Sequence, residues 1–225
     1  VSVIGSPVFD SVASFELLSK RKQSREILGL ENETFIFYGA SSIRQFNLPQ
    51  TIRCLVESVR SRPRTRFAVG FHPADDKQYQ ARMETILAAV RTTLGPQWVD
   101  TRGLEGLNRA AAADLFVTDY STTGVEACLA GIPTAFVLFE SAQAYQASSR
   151  GAEWPFFPIL VSKNERKEPP AVGIFRQEDV SAGLDRVLRR SHAVVLYSLD
   201  DPRFRLLRDG KAGERAIEFI RKSIE

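Results

Sequence analysis

A chain of 225 residues, 44% hydrophobic and 25% charged, has ordinary globular composition and is long enough to bury a sizeable core. A net charge of +3 falls far short of the dense Lys/Arg stripe of a nucleic-acid binder, so no nucleic-acid partner is expected. Two distant cysteines, Cys54 and Cys128, exclude a disulfide framework and read as free thiols of a reducing compartment; two histidines, His72 and His192, are too few for a histidine-rich metal site; and no apolar run reaches the ~20 residues of a membrane span.

In chain order, residues 1–28 read as an opening segment with a strand and the charged helix KRKQSREILGL. The start on Val1 suggests that an N-terminal domain of the same protein precedes it. TFIFYGA (34–40) is a dense strand candidate, and 49–61 follows with Ile52, Leu55, Val56 and Val59 at helical spacing. Arg60, Arg62, Arg64 and Arg66 alternate around Pro63 and read as a solvated turn. RFAVGF (66–71) is a second strand, 78–94 a helix with an apolar stripe from Met83 to Leu94, and QWVDT (97–101) a short third strand. A short alanine-rich helix over 104–113 leads to a fourth strand, DLFVTD (114–119), a small-residue helix over 123–131 and a fifth strand, PTAFVLF (133–139). Residues 140–176, including the polar SKNERKEPP (162–170), read as a solvated loop or a flap over the site. Helices over 177–190 and 211–224 close the chain, with His192 between them as a packing or surface residue. Continuous apolar strands alternating with helices predict an α/β fold, a Rossmann-like doubly wound parallel sheet with C-terminal helices. The whole chain, 1–225, is expected to be one such domain: opening segment 1–28, core 29–190, closing segment 191–225.

Open parallel sheets bind ligands beyond the carboxyl ends of their strands. There the sequence delivers Gly39-Ala40-Ser41-Ser42, then His72-Pro73, then Thr101-Arg102-Gly103, then Asp119-Tyr120-Ser121-Thr122-Thr123-Gly124. Glycine admits close backbone approach, hydroxyls offer hydrogen bonds, arginine offers a fork for phosphate oxygens, and a helix N-terminus offers unpaired N–H groups. Each feature also has a plain structural reading. Thr123 and Glu126 fit a capping box, Gly39 to Ser42 fits a turn, and His72-Pro73 fits a strand stop. Gly124 in a first helical turn costs about 1 kcal/mol against alanine, which makes sense if something approaches the backbone closely. The G-x-S-x-G elbow, the P-loop and the dinucleotide fingerprint are absent, which argues against hydrolase, NTPase and dehydrogenase chemistry.

GSPVFD, GFHPADD, ADLFVTDYSTTGVEACLAGIPTAF and DGKAGERAIEFI together resemble the C-terminal, donor-binding half of a GT-B glycosyltransferase. By motif the sequence is similar to the CDP-glycerol glycerophosphotransferases and the UDP-N-acetylglucosamine 2-epimerases. The Tyr120-Ser121 pair leans towards the former. FHPADD and STTG depart from the His-x-Asn-Pro and paired-glycine strings of the latter. The resemblance implies one half of a GT-B fold that binds a nucleotide-diphosphate-linked donor, a nucleotide diphosphate sugar or CDP-polyol, as substrate and needs no cofactor. Ser121, Thr122, Thr123 and Gly124 would hold phosphates, with Gly39, Ser41, Ser42 and Arg102 as further donor-binding candidates from the strand ends. Glu126 would meet the ribose, and His72 is the catalytic candidate near the transferred group. With its N-terminal domain the protein would transfer a sugar or polyol phosphate to a cell-envelope or glycan acceptor; the isolated half would be inactive. The alternatives are an epimerase-like isomerase and a non-catalytic nucleotide-sugar-binding module. The implied location is cytoplasmic, compatible with peripheral association of the full-length protein at the inner face of the membrane.

Overall fold

The computed structural model describes residues 5–41, 48–71, 77–119, 121–139, 160–161 and 168–224. Five parallel strands form its sheet: β1 (Thr34–Gly39), β2 (Thr65–Gly70), β3 (Leu115–Thr118), β4 (Thr134–Val137) and β5 (Ala171–Ile174), in the order β2-β1-β3-β4-β5. Register runs from Thr34↔Thr65 to Gly39↔Gly70 on one side of β1 and from Ile36↔Leu115 to Gly39↔Thr118 on the other. The expected doubly wound α/β sheet is therefore present.

Strand alternation explains the continuous apolar runs. In β1, Ile36 and Tyr38 enter one core, while Phe35 and Phe37 enter another on the opposite face. On the first face lie α2 (Leu48–Arg60), α3 (Lys77–Leu94) and α6 (Val180–Leu188). α2 buries Leu48, Ile52, Leu55, Val56 and Val59, an i, i+3, i+4 stripe. The other face carries α1 (Leu17–Ile27), α4 (Gly106–Ala112) and α5 (Thr122–Leu129), with α7 (His192–Leu199) against α5 and α8 (Pro202–Arg208) beyond. Ala110 to Ala113 are fully buried, and their small side chains let α4 lie close against the sheet and α1.

Three expectations need correction. QWVDT contributes one parallel bridge, Trp98 to Phe67, after a 3-10 turn over Gly95–Gln97, rather than a strand. Pro96 has no N–H to give a ladder, the Trp98 ring lies under the guanidinium of Arg91, 5.4 Å away, and the Val99 N–H donates to the Phe67 carbonyl. β5 lies inside the stretch expected to be a loop: Ala171 to Ile174 pair with Thr134 to Val137, and Leu138 donates to Ile174. The closing region holds α7 and α8 besides the two expected helices, and residues 7–14 form a 3-10 helix, Pro7–Ser14. The remainder of 140–176 lies mostly outside the described residues, so the flap does too.

Both chain ends meet. Asp10 in GSPVFD accepts from the Ala212 and Gly213 N–H groups, at 3.0 and 2.8 Å, and so caps α9 (Ala212–Ile224), the helix of DGKAGERAIEFI. No described helix is long and apolar enough to cross a membrane.

The arginine run ends in specific contacts. Arg62 reaches Asp185 and Ser181 on α6, and Arg66 reaches the Pro96 carbonyl. Both cysteines are free thiols. Burial pushes the Cys128 thiol up to about 12, so it stays protonated and inert.

Candidate functional site

With Trp98 bridged beyond β2, the sheet reads Trp98-β2-β1-β3-β4-β5, and chain order reverses between β1 and β3. Ligands of open α/β sheets sit at such a reversal. Here the strand exits and the ends of α4 and α5 enclose a cavity of about 410 Å³, within the range of small-molecule pockets. Phe37 and Phe116, with ring centroids 5.6 Å apart, form its floor. Its walls are Gly39 and Ala40, Gly70 and Phe71, Gly106 and Arg109, and Ser121 and Thr123.

Ser121 is the N-cap of α5. Its backbone is extended (φ −125°, ψ 138°), and its hydroxyl accepts from the Thr123 N–H at 3.2 Å. Its carbonyl accepts from Gly124 at 3.1 Å. The cap is therefore two residues earlier than the Thr123–Glu126 capping box expected from sequence. That places Thr122, Thr123 and Gly124 in the first turn and Glu126 in the second.

Gly124 has a reason different from the one the sequence suggested. A Cβ there would lie 2.4 Å from Thr118 Cγ2 and 2.9 Å from Phe136 Cε1. The close approach is by the protein's own sheet. Gly39 is similar: a Cβ would meet Phe116 Cζ at 2.6 Å, so the glycine leaves room for the ring that floors the cavity.

Of the remaining candidates, Thr122 is half-buried at the helix start and Ser41 is buried beside the β1 exit. Arg102 is 83% exposed, chelated by Asp100, and is not among the cavity-lining residues. Glu126 is half-buried with no hydrogen-bond or ion-pair partner among the described residues, and burial raises its pKa. His72 and Ser42 lie outside the described residues. His192 sits at the far end of α5, its Nδ1 3.0 Å from the Gly131 carbonyl, as a packing residue.

Sequence reasoning missed the cation that does line the cavity. Arg109 is half-buried on α4, its Nε donating to the Leu104 carbonyl, and Nη1 is 3.6 Å from where a Gly70 Cβ would stand. No described carboxylate pairs with it, although the exposed Glu105 stands at the rim. Arg109 sits mid-helix in GLNRAAA, away from any strand end, so only the packing of α4 reveals it.

Asp119 was also missed as a partner of this site. It is 2% exposed at the end of β3 and accepts from the Tyr38 hydroxyl, the Ser41 N–H and the Thr51 hydroxyl. It thus ties β1, the β1 exit and α2 to the strand that leads into the α5 cap. Burial pushes its carboxyl up to about 7 despite these donors. Among the described residues, no group of three or more His, Cys, Asp or Glu side chains could hold a metal ion. A hydroxyl cap, a guanidinium without a described carboxylate partner and an apolar floor suit an anion joined to a flat or apolar group.

No family model and no curated protein matches the sequence. Solved structures do match the fold. The wall teichoic acid polymerase TagF superposes with TM-score 0.56 at 17% identity, covering 99% of this chain and 51% of that one. One structure of that polymerase was soaked with CDPG. An E. coli trehalose-6-phosphate structure bound with UDP-2-fluoro glucose gives TM-score 0.57 at 15% identity, covering 97% of this chain and 50% of that one. The C-terminal domain of a group 1 family glycosyl transferase, LpcC from Francisella tularensis, gives TM-score 0.51 at 12% identity over 83% of this chain and 90% of that domain. The chain thus spans about half the length of the first two proteins and nearly all of the third. At these identities the shared property is the fold: this chain has the fold of the matching halves of the first two proteins and of the LpcC C-terminal domain.

Proposed function

We propose that the switch-point cavity binds the diphosphate of a nucleotide-linked donor. In this reading the chain is the donor-binding half of a transferase that moves a sugar or polyol phosphate to a cell-envelope or glycan acceptor. One observation carries it: a guanidinium with no carboxylate partner among the described residues, Arg109, and a hydroxyl-capped helix start, Ser121 and Thr123, line one cavity at the reversal of strand order. Phosphate oxygens would meet Arg109 and the Ser121–Thr123 turn, where a fixed positive charge and the dipole end of α5 favour negative charge. The same groups would stabilise the diphosphate as it leaves. Gly39 keeps the floor open, and the Phe71 ring beside Gly70 offers an apolar face for a base. Glu126, half-buried and without a partner among the described residues, would accept from ribose hydroxyls. His72 is the catalytic candidate for the transferred group.

The CDPG soak of one fold neighbour and the bound UDP-2-fluoro glucose of another support a nucleotide-linked donor by analogy. Isothermal titration with UDP, CDP and GDP tests the reading. At least one should bind with a sub-millimolar Kd, and Arg109→Ala should weaken it about tenfold, the loss of one charge-assisted contact. No binding of any of the three up to millimolar concentration overturns it.

A further inference from the structure

The buried Asp119 carboxylate does not line this cavity: it lies on the α2 face of the sheet, opposite Phe37 and Phe116, and reaches the cavity wall through Ser41, the neighbour of Ala40. Asp119 is closed off from solvent by β1, β3 and α2, two residues before the Ser121 cap. Its three partners, the Tyr38 hydroxyl, the Ser41 N–H and the Thr51 hydroxyl, are all neutral. Among the described residues of the elements packed around it, Tyr38 is the one other titratable group that faces it, and no cation balances it. Among the described residues, an ionised Asp119 is thus a buried negative charge with only neutral partners, one of which, Ser41, adjoins the cavity-lining Ala40.

The network accommodates two charge states. As a carboxylate, Asp119 accepts from all three donors. As a carboxylic acid it must donate one hydrogen, and the Tyr38 or Thr51 hydroxyl can rotate to accept it while the Ser41 N–H bond stays in place. The change of protonation therefore alters charge without dismantling the strand exits.

We propose that Asp119 is a proton-coupled positioning residue, which takes up a proton as a diphosphate or other anion enters the switch-point cavity. Two like charges separated by buried protein disfavour one another, so anion entry favours the neutral acid. By reciprocity, protonation of Asp119 favours the anion to the same extent. An ordinary aspartate titrates far below neutrality, but burial places this transition near neutral pH. The inference rests on the cavity being an anion site; it does not require that the anion carry a nucleotide.

The test uses probes whose own charge is constant near neutrality: UDP-glucose and CDP-glycerol, whose phosphates are diesters, and sulfate. Affinity is measured by titration calorimetry between about pH 6 and pH 9, in buffers of different ionisation enthalpy, for the whole 225-residue chain. The native chain should take up protons on binding, with affinity falling up to tenfold per pH unit above neutrality. Asp119→Asn should bind with no such pH dependence and should exceed the native chain at the high end. Tyr38→Phe removes one donor to the carboxylate and should move the fall to higher pH, which keeps the test open if Asp119→Asn folds poorly. Sulfate binding with these properties, without either nucleotide diester, upholds Asp119 and fails the nucleotide reading. Nucleotide binding with identical pH profiles in native and Asp119→Asn proteins does the reverse. Absence of binding by every probe overturns both.

Discussion

Asp119 shows how one residue can couple stability to pH. Its folded-state pKa is raised to about 7 from an ordinary 3.8, chiefly by burial. The folded chain therefore holds this proton where the unfolded chain has lost it. The stabilisation is complete below about pH 4 and is lost as pH rises through 7, with a slope of at most about 1.4 kcal/mol per pH unit. Asp100, held down by Arg102, and Asp209, held down by Arg215, act in the opposite sense but at pH below their ordinary range. Urea midpoints between pH 5 and 8 should fall for the native chain and stay flatter for Asp119→Asn. An unchanged slope in that variant would show that the carboxyl titrates elsewhere. Gly124 makes a purely steric prediction. Gly124→Ala forces a Cβ towards Thr118 and Phe136, and overpacking of this kind costs about 1–3 kcal/mol. Thermal denaturation should record that loss without any ligand present.

The ends of elements explain more than their middles. α5 starts where Ser121 can accept from Thr123, not where a Thr–x–x–Glu string suggested. Ser121→Ala should cost about 1 kcal/mol of stability, and donor affinity should fall with it if the cap also meets phosphate; stability loss with unchanged affinity would reduce Ser121 to a cap. At the other end of a helix, the carbonyls of Ala112 and Ala113 on α4 accept from Arg21 and Arg25 on α1. Asp114 pairs with both arginines and accepts from Phe35 N–H at 2.8 Å. This junction fixes α4, and with it Arg109, against the sheet. Asp114→Ala should cost about 2 kcal/mol in an equilibrium unfolding experiment, since it removes charge-assisted bonds and leaves two guanidinium groups without their carboxylate.

Across the molecule, Asp10 joins the opening segment to the final helix, 202 positions apart. Asp10→Ala should lower stability by about 1 kcal/mol through loss of the α9 cap, and amide exchange in α9 should rise ahead of exchange in the sheet. Equal protection of α9 in the variant would mean that α9 is held by other contacts.

The strands of the core were legible because burial on both faces leaves an uninterrupted apolar run, as in TFIFYG and LFVT. β5 was not, because AVGI is only four residues long and lies between prolines and a polar tract, so its pairing with β4 supplies the signal that its composition lacks. α7 and α8 were missed for a related reason: at eight and seven residues they are too short for a period to emerge. The position of the cavity followed from the rule of strand ends, and Gly39, Ser121 and Thr123 do line it. Its cation did not follow. Arg102 was nominated by its place after a presumed strand, whereas Arg109 enters the cavity because α4 packs one face of the sheet.

The sequence by itself determined the α/β class, the parallel sheet and the stretch where the hydroxyl-rich turn leaves its strand. Those properties rest on local hydrophobic pattern and on backbone propensities. Only the tertiary structure decided which residues share the cavity, why Gly124 is glycine, that Asp119 is buried among neutral donors, and that Asp10 caps the last helix. Each depends on groups distant in the chain brought within a few ångströms, where sterics and desolvation act, and no local pattern encodes that separation.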